Sequence, residues 1–336
     1  MNKQRVTVKE VAKRANVSLG TVSNVLNEPS RVAKTTRDRV LKAIEETGFV
    51  RNTAARQLRG AGSKAVGIVV LDSSNPFFTE IIRGAEDALR EEGYVLIACS
   101  TDESQAVESQ YLSLLEEHRV EGILITPSTK DLSRINALTQ KGLRVVLVDR
   151  KTKRKDICSV TVDDVYGGTL AVEHLISKGH RRILFINGPQ TIRQCYDRRA
   201  GVLSAIEKHR NIDPDVTLLE FEVPSLTLSA GENASLQVLS CSYDFTAIIC
   251  ANDLLALGVI RTCSKLGVKI PKDLALVGYD DITFASMVSP SLTSVRQPQQ
   301  ELGSQAAQLL LDELREKNHK HQEVRFSPTL IPREST

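Results

Sequence analysis

Two rhythms of apolar residues divide this chain. Over residues 7–48 apolar positions recur every three or four residues, the period of a helix with one buried face. Thr7 followed by Glu10 has the form of a capping box and starts a helix at Val8. Val8, Val11, Ala12 and Ala15 share one face of it. Asn16-Val17 makes a turn, and Ser18 caps a second helix with Val22, Val25 and Leu26 inward. Thr35, with Asp38 three residues later, caps a third. Val40, Leu41 and Ile44 are its apolar stripe, and Gly48 ends it. Three short helices with a tight turn between the first two predict a helix-turn-helix. A generic small helical bundle is the plainer alternative.

Beyond Gly62-Ser63 the rhythm changes to short apolar runs separated by helical stretches. Ala65–Leu71, Tyr94–Cys99, Gly122–Thr126 and Arg144–Asp149 form a first series, and the first three are each followed by helical periodicity. Arg182–Asn187, Val216–Glu222, Ala247–Cys250 and Ala275–Tyr279 form a second. Buried runs separated by helices predict parallel sheets of βαβ units. Two series predict two similar subdomains, with no sequence repeat strong enough to show duplication.

Charge sharpens the division. Residues 1–62 carry 13 Lys/Arg and 5 Asp/Glu, a net +8, whereas the remainder is at −5. A basic head suits phosphate contacts, though a basic solvated face would have the same composition. Cys99, Cys158, Cys195, Cys241, Cys250 and Cys263 show no close pairing and no metal spacing, and suggest thiols in a reducing compartment. No apolar run reaches membrane-span length and no signal peptide is evident, which points to the bacterial cytoplasm, at the nucleoid.

In open α/β sheets, ligands bind beyond the carboxyl ends of the strands. The first strand leads into Asp72-Ser-Ser-Asn75-Pro76-Phe77-Phe78 and the fourth into Asp149-Arg150. The second series leads in turn to Asp197-Arg198, Asn252-Asp253 and Asp280-Asp281, and Gln297 follows a late run at Leu292–Arg296. Carboxylates, guanidiniums, amides and aromatic rings at one end fit a polyhydroxylated ligand. Phe77 and Phe78 could equally be core, Asp149-Arg150 a local ion pair, and Asp253 and Asp281 helix caps. No Gly-x-Ser-x-Gly, phosphate-binding loop or metal spacing is present, and the six histidines are scattered, with His319 and His321 in a polar tail. No enzyme, cofactor or metal site is expected.

The pattern Val-Lys-Glu-Val-Ala-Lys-Arg-Ala-Asn-Val-Ser…Thr-Val-Ser-Asn-Val-Leu-Asn over residues 8–27 closely resembles the lactose-repressor (LacI) family of bacterial transcription regulators. Asn52…Ala55-Arg56…Leu58 resembles that family's hinge helix, and the likeness covers essentially the whole chain. It implies an N-terminal all-α helix-turn-helix head with a hinge helix, and an α/β body of two parallel-sheet subdomains like a periplasmic binding protein. The divisions are 1–60 for the head, with the hinge at 52–60, and 61–336 for the body. Within the body they are about 64–162 plus 293–325 for the N-terminal subdomain and about 163–292 plus 326–336 for the C-terminal one.

Carried over position by position, the resemblance implies base readers at Leu19, Gly20 and Asn24 and phosphate contacts at Thr7, Ser18, Thr21, Ser23, Asn27 and Arg31. Neither Leu19 nor Gly20 can donate to a base edge, so Asn24 is the main polar reader expected. It also implies minor-groove contacts by Asn52, Ala55, Arg56 and Leu58, with Leu58 as a wedge between base steps. Residues 53–59 span two helical turns, too few for an isolated helix, so this helix would form only when two copies pair on DNA. Among family members the body most resembles the ribose-binding kind. Asn75, Phe77, Phe78, Asp149, Arg150, Arg198, Asn252, Asp280 and Gln297 then become the effector contacts, and a further covering aromatic aligns near Leu226. Implied is a homodimeric repressor of double-stranded operator DNA, with ribose or a related sugar as inducer. Open alternatives are a purine or sugar-phosphate corepressor (Arg193 could meet a phosphate), a phosphorylated carrier protein as effector, or a sugar-binding protein without a regulatory role.

Overall fold

The computed structural model describes residues 6–49, 63–152, 154–240, 244–316 and 318–336. The chain divides into a head that runs to Ser63 and a body from Lys64. The hinge expected at 52–60, with Asn52, Ala55, Arg56 and Leu58, lies outside the described residues.

The head holds α1 (Val8–Ala15), α2 (Leu19–Asn27) and α3 (Lys34–Thr47). At the start of α1 the Glu10 carboxylate takes the Thr7 N–H at 2.6 Å and the Thr7 hydroxyl at 2.9 Å. Those bonds also hold the Glu10 carboxyl below its usual range. Asn16 ends α1 in the left-handed region at φ 50°, a conformation its short polar side chain tolerates, and so the chain turns at once into α2. Ser18 caps α2 by accepting the Thr21 N–H at 3.0 Å. Two expectations for α3 fail. It starts at Lys34 with Ala33 as the cap, one residue before Thr35, and Leu41 points outward at 49% exposure. Its buried stripe is Val40 and Ala43, with Ile44 partly buried against them. The whole head packs on Val11, Ala12, Ala15, Val22, Val25, Val40, Ala43 and Phe49. So small a core leaves a domain near the margin of stability.

The body is built on two six-stranded sheets. The first runs in spatial order β11-β5-β4-β3-β1-β2. It contains β1 (Ala65–Val70), β2 (Val95–Ser100), β3 (Gly122–Ile125), β4 (Arg144–Val148), β5 (Cys158–Val162) and β11 (Glu323–Phe326). The second runs β12-β10-β9-β8-β6-β7. It contains β6 (Arg182–Asn187), β7 (Thr217–Glu222), β8 (Ala247–Cys250), β9 (Ala275–Asp280), β10 (Thr293–Arg296) and β12 (Thr329–Ile331). Among the described residues every pairing is parallel except β10 with β12.

Helices α4 (Pro76–Glu91), α5 (Gln105–Glu117) and α6 (Ser133–Gln140) follow β1, β2 and β3. In the second half come α7 (Asp164–Ser177), α8 (Arg193–Arg210), α9 (Leu228–Ser240) and α10 (Asp253–Leu266). The last helix, α11 (Gln299–Arg315), returns to the first sheet and packs on α4. Gly303 makes that packing possible, because a Cβ there would stand 1.9 Å from the Ile81 carbonyl oxygen. Apolar side chains cover both faces of each sheet, as expected where strands are runs of Val, Ile and Leu.

The pairings correct one subdomain boundary. The sequence division places residue 293 onward in the first subdomain, but β10 bonds to β9 and β12 in the second sheet. The chain crosses back only after Arg296, and crosses again between β11 and β12. No described helix is long and apolar enough to cross a membrane.

Candidate functional site

The head's recognition surface is the outward side of α2. While Val22 and Val25 anchor the helix, Leu19 (46% exposed), Gly20, Asn24 and Asn27 are exposed and Thr21 and Ser23 are half-buried. Asn27 donates to the Ser23 hydroxyl at 3.2 Å, and Thr21 and Ser18 pair through their hydroxyls at 2.9 Å. Arg31 lies exposed beyond the helix in an ion pair with Glu28 at 2.7 Å. Thr7 is exposed at the start of α1. All nine residues singled out in the head thus reach solvent at least in part, and the helix start of α2 presents backbone N–H groups beside them.

In the body, a cavity forms between the two sheets where their strands end. Asn75, Phe77, Phe78, Asp149, Arg198, Asn252 and Asp280 all line it. Asn75 caps α4, accepting the Phe77 N–H at 3.0 Å, and so fixes both rings at the mouth of that helix. Phe77 and Phe78 meet edge to face, centroids 5.0 Å apart. Asn252 caps α10, accepting the Leu255 N–H at 3.0 Å and donating to the Leu226 carbonyl at 3.0 Å. Asp149 and Asp280 sit just at the ends of β4 and β9 with φ of 52° and 104°. Backbone in that region is strained for a non-glycine residue and collects at functional sites.

One guanidinium organises the charges. Arg198, 4% exposed, donates to Asp164 at 2.9 Å and to the Ala251 carbonyl at 2.7 Å, and approaches Asp280 at 3.6 Å. It also stacks on Tyr279, 3.8 Å from the ring centroid, and the Tyr279 hydroxyl donates to Asp164 at 3.0 Å. Tyr279 can reach so far because Gly167 leaves room: a Cβ there would lie 2.0 Å from its hydroxyl oxygen. Burial opposes the charge of Arg198, but Asp164 and Asp280 outweigh it and hold its pKa up. The carboxylates are less well served. Burial raises Asp280 to about 7 although Arg198, Gln297 and Asn75 all favour its charged form. Burial and the neighbouring Asp164 also push Asp149 well up. Arg198 alone among the lining residues faces Asp149, Asp164 and Asp280 with a positive charge, so burial favours the neutral form of Asp149 and Asp280 and the wall is rich in carboxyl groups.

Two predicted contacts stand back from this wall. Arg150 is buried, but its guanidinium turns to the Thr129 carbonyl at 3.1 Å. Gln297 lies behind Asp280 and donates to it at 2.7 Å, leaving its own Oε1 without a hydrogen bond. Asp253 is structural: its carboxylate accepts from Ile282 N–H at 2.8 Å and from Ser294 at 2.7 Å. Arg193 is held by Asp197 at 2.8 and 2.9 Å. Sequence reasoning missed Gln194, which reaches across the cleft to Asp149, at 2.6 Å to its carbonyl and 2.8 Å to its carboxylate. It also missed Glu103, which lines the cavity and whose carboxyl is pushed up by burial. Both follow a strand of the series by several residues, and neither stands directly at a strand end. Leu226 itself lines the wall.

Comparison with known proteins gives a consistent set of likenesses. Residues 7–52 match the model for bacterial regulatory proteins of the lacI family, and residues 172–336 that for a periplasmic binding protein-like domain. The HTH-type transcriptional repressor PurR of Photobacterium profundum is 33% identical over 337 residues, covering 98% of each chain. A LacI family transcriptional regulator from Enterococcus faecium, solved with bound ribose, is 31% identical with a TM-score of 0.74. That likeness covers 81% of this chain and 98% of the other. The lac repressor dimer, solved on operator with the anti-inducer ONPF, is 25% identical with a TM-score of 0.84 over 99% of each chain.

Proposed function

From the premise that this chain belongs to the lacI family of bacterial regulatory proteins, we propose that ribose or a closely related pentose is its effector and acts as an inducer. The protein is a DNA-binding transcriptional repressor with an effector-binding domain, and not an enzyme. The sugar reading rests on one observation: the cavity wall offers Asp72, Glu103, Asp149 and Asp280 as acceptors, with a single arginine already engaged by its own partners. A pentose brings several hydroxyl donors and no charge. Its C–H face suits Phe77 and Phe78. The regulator that was solved with ribose supports the same choice. A sugar phosphate fits worse, because Arg193 is committed to Asp197. A purine corepressor is the second reading, favoured by full-length similarity to repressors named PurR.

Gln194 to Asp149 spans the cleft directly. A sugar between the subdomains would enter this network and bias how the cleft closes. Two protomers pair through their N-terminal subdomains, where the edge strand β2 leaves Val95 (65%) and Ile97 (39%) exposed, with Leu114 (45%) on α5. Closure rotates these subdomains, and the grip on the operator loosens. Dimer symmetry would be matched by a near-palindromic operator.

Isothermal titration of the full-length protein with pentoses, hexoses, sugar phosphates and purines tests the effector directly. Heat with ribose alone, together with release from operator DNA, is expected. Binding of a purine that tightens the DNA complex would replace this reading with the second one.

A further inference from the structure

At the outer edge of the first sheet, four potential metal ligands from three elements converge. Cys158 opens β5 and is fully buried, and Glu313 lies in the last turn of α11 at 4% exposure. His319 and His321 lie on the segment that leads into β11. The Cys158 sulfur is 3.3 Å from His319 Nε2 and 3.6 Å from His321 Nδ1, and His321 Nδ1 is 3.3 Å from Glu313 Oε1. All four donor atoms lie within 4.8 Å of one another. The edges of a tetrahedron with zinc bonds of about 2.0–2.3 Å measure roughly 3.3–3.8 Å, and the three distances fall in that range.

We propose that Cys158, Glu313, His319 and His321 form a closed, structural zinc site. Hydrogen bonding alone serves this cluster poorly. Glu313 Oε1 is buried and receives no hydrogen bond, and the His321 ring beside it at 3.3 Å carries charge only when protonated, so burying this oxygen is costly. The thiol's single proton can serve only one of its neighbours, and each imidazole nitrogen donates here only in the tautomer that carries its proton on that atom. A divalent cation at the centre takes a lone pair from every one of them, and thiolate plus carboxylate cancel its charge. Thiolate, imidazole and carboxylate donors in a tetrahedron select zinc among the common divalent ions, and four protein donors leave no open position for catalysis. The site would tie the end of α11 and the approach to β11 onto β5. No sequence motif marks it, because Cys158 and His321 are far apart in the chain and meet only through the β5–β11 pairing.

Cobalt(II) is a spectroscopic stand-in for zinc in such sites. Full-length protein stripped with a chelator and titrated with Co2+ should bind one ion per chain at this site, with tetrahedral visible bands and a near-ultraviolet thiolate band that Zn2+ then bleaches. Cys158→Ser should remove the thiolate band. His319→Gln and His321→Gln, at half-buried positions, should each weaken Co2+ binding about tenfold or more while melting in chelator as the parent protein does. Absence of the bands with excess Co2+ would overturn the site, and so would bands that persist unchanged in His319→Gln and Cys158→Ser.

Discussion

Asp280 is the residue on which the ligand chemistry turns. Its carboxyl titrates at about 7 because burial outweighs Arg198, Gln297 and Asn75. A folded-state pKa raised above the ordinary 3.8 means that this group stabilises the fold at low pH and loses that contribution as pH rises through about 7. A sugar hydroxyl has the opposite demand, since it donates to the ionised form. Ribose affinity should therefore rise as pH is raised from about 6 to about 8, and Asp280→Asn should flatten that profile and weaken binding by about 1.5–3 kcal/mol, measured by titration calorimetry at each pH. Arg198 tests a different property. Arg198→Ala leaves Asp164 and Asp280 buried without their cation, so the body should lose about 3–5 kcal/mol in a denaturant melt as well as its ligand. The neighbours of these two were harder to foresee. Asp280 and Asn252 announce themselves by closing β9 and capping α10, whereas Arg198, in the second turn of α8, was reached through the family resemblance. Gln194 reaches Asp149 across the cleft and Tyr279, on β9, supports Arg198 and Asp164 behind the wall; both act through three-dimensional reach, and Tyr279 needs the glycine at 167 on α7 to do so.

At the scale of elements, what was legible followed from periodicity and what was not followed from short or polar strands. The runs of Val, Ile and Leu in β1, β3, β4, β8 and β9 carry their burial in their composition. β5 reads Cys-Ser-Val-Thr-Val, with Ser159 and Thr161 buried among its apolar residues, and β11 and β12 are short edge strands of mixed polarity. Those three strands flank the crossovers, so the membership of β10 in the second sheet was invisible without the pairing. In the head, α3 shows the limit of cap motifs. Thr35 and Asp38 have the right types, but the preceding turn lets the helix begin at Lys34, and Leu41 falls on the outer face. Ser18 does cap α2, so Ser18→Ala should cost about 1 kcal/mol of head stability by thermal melting and weaken operator binding in parallel. On α11, Gly303→Ala should part α4 from α11 and lower the body's melting temperature while leaving the head's transition in place.

The whole molecule is a repressor only if cleft and head influence each other, and thermodynamics makes that influence reciprocal. If ribose lowers operator affinity by some factor, saturating operator DNA must lower ribose affinity by the same factor, because each ligand favours a different arrangement of one body. Two substitutions divide the chain of coupling. If Leu58 acts as the minor-groove wedge that the family resemblance implies, Leu58→Ala should weaken operator binding and leave ribose affinity in DNA-free protein unchanged. Val95→Asp with Ile97→Asp charges the exposed edge of β2, and should shift the protein from dimer to monomer in sedimentation while the cavity still binds sugar. A monomer keeps one helix-turn-helix and loses the second half-site, so its operator affinity should fall steeply and its response to ribose should vanish. Should that monomer bind operator as the parent does, and still release it on adding ribose, then the switch lies within one chain and pairing of the hinges is not its mechanism.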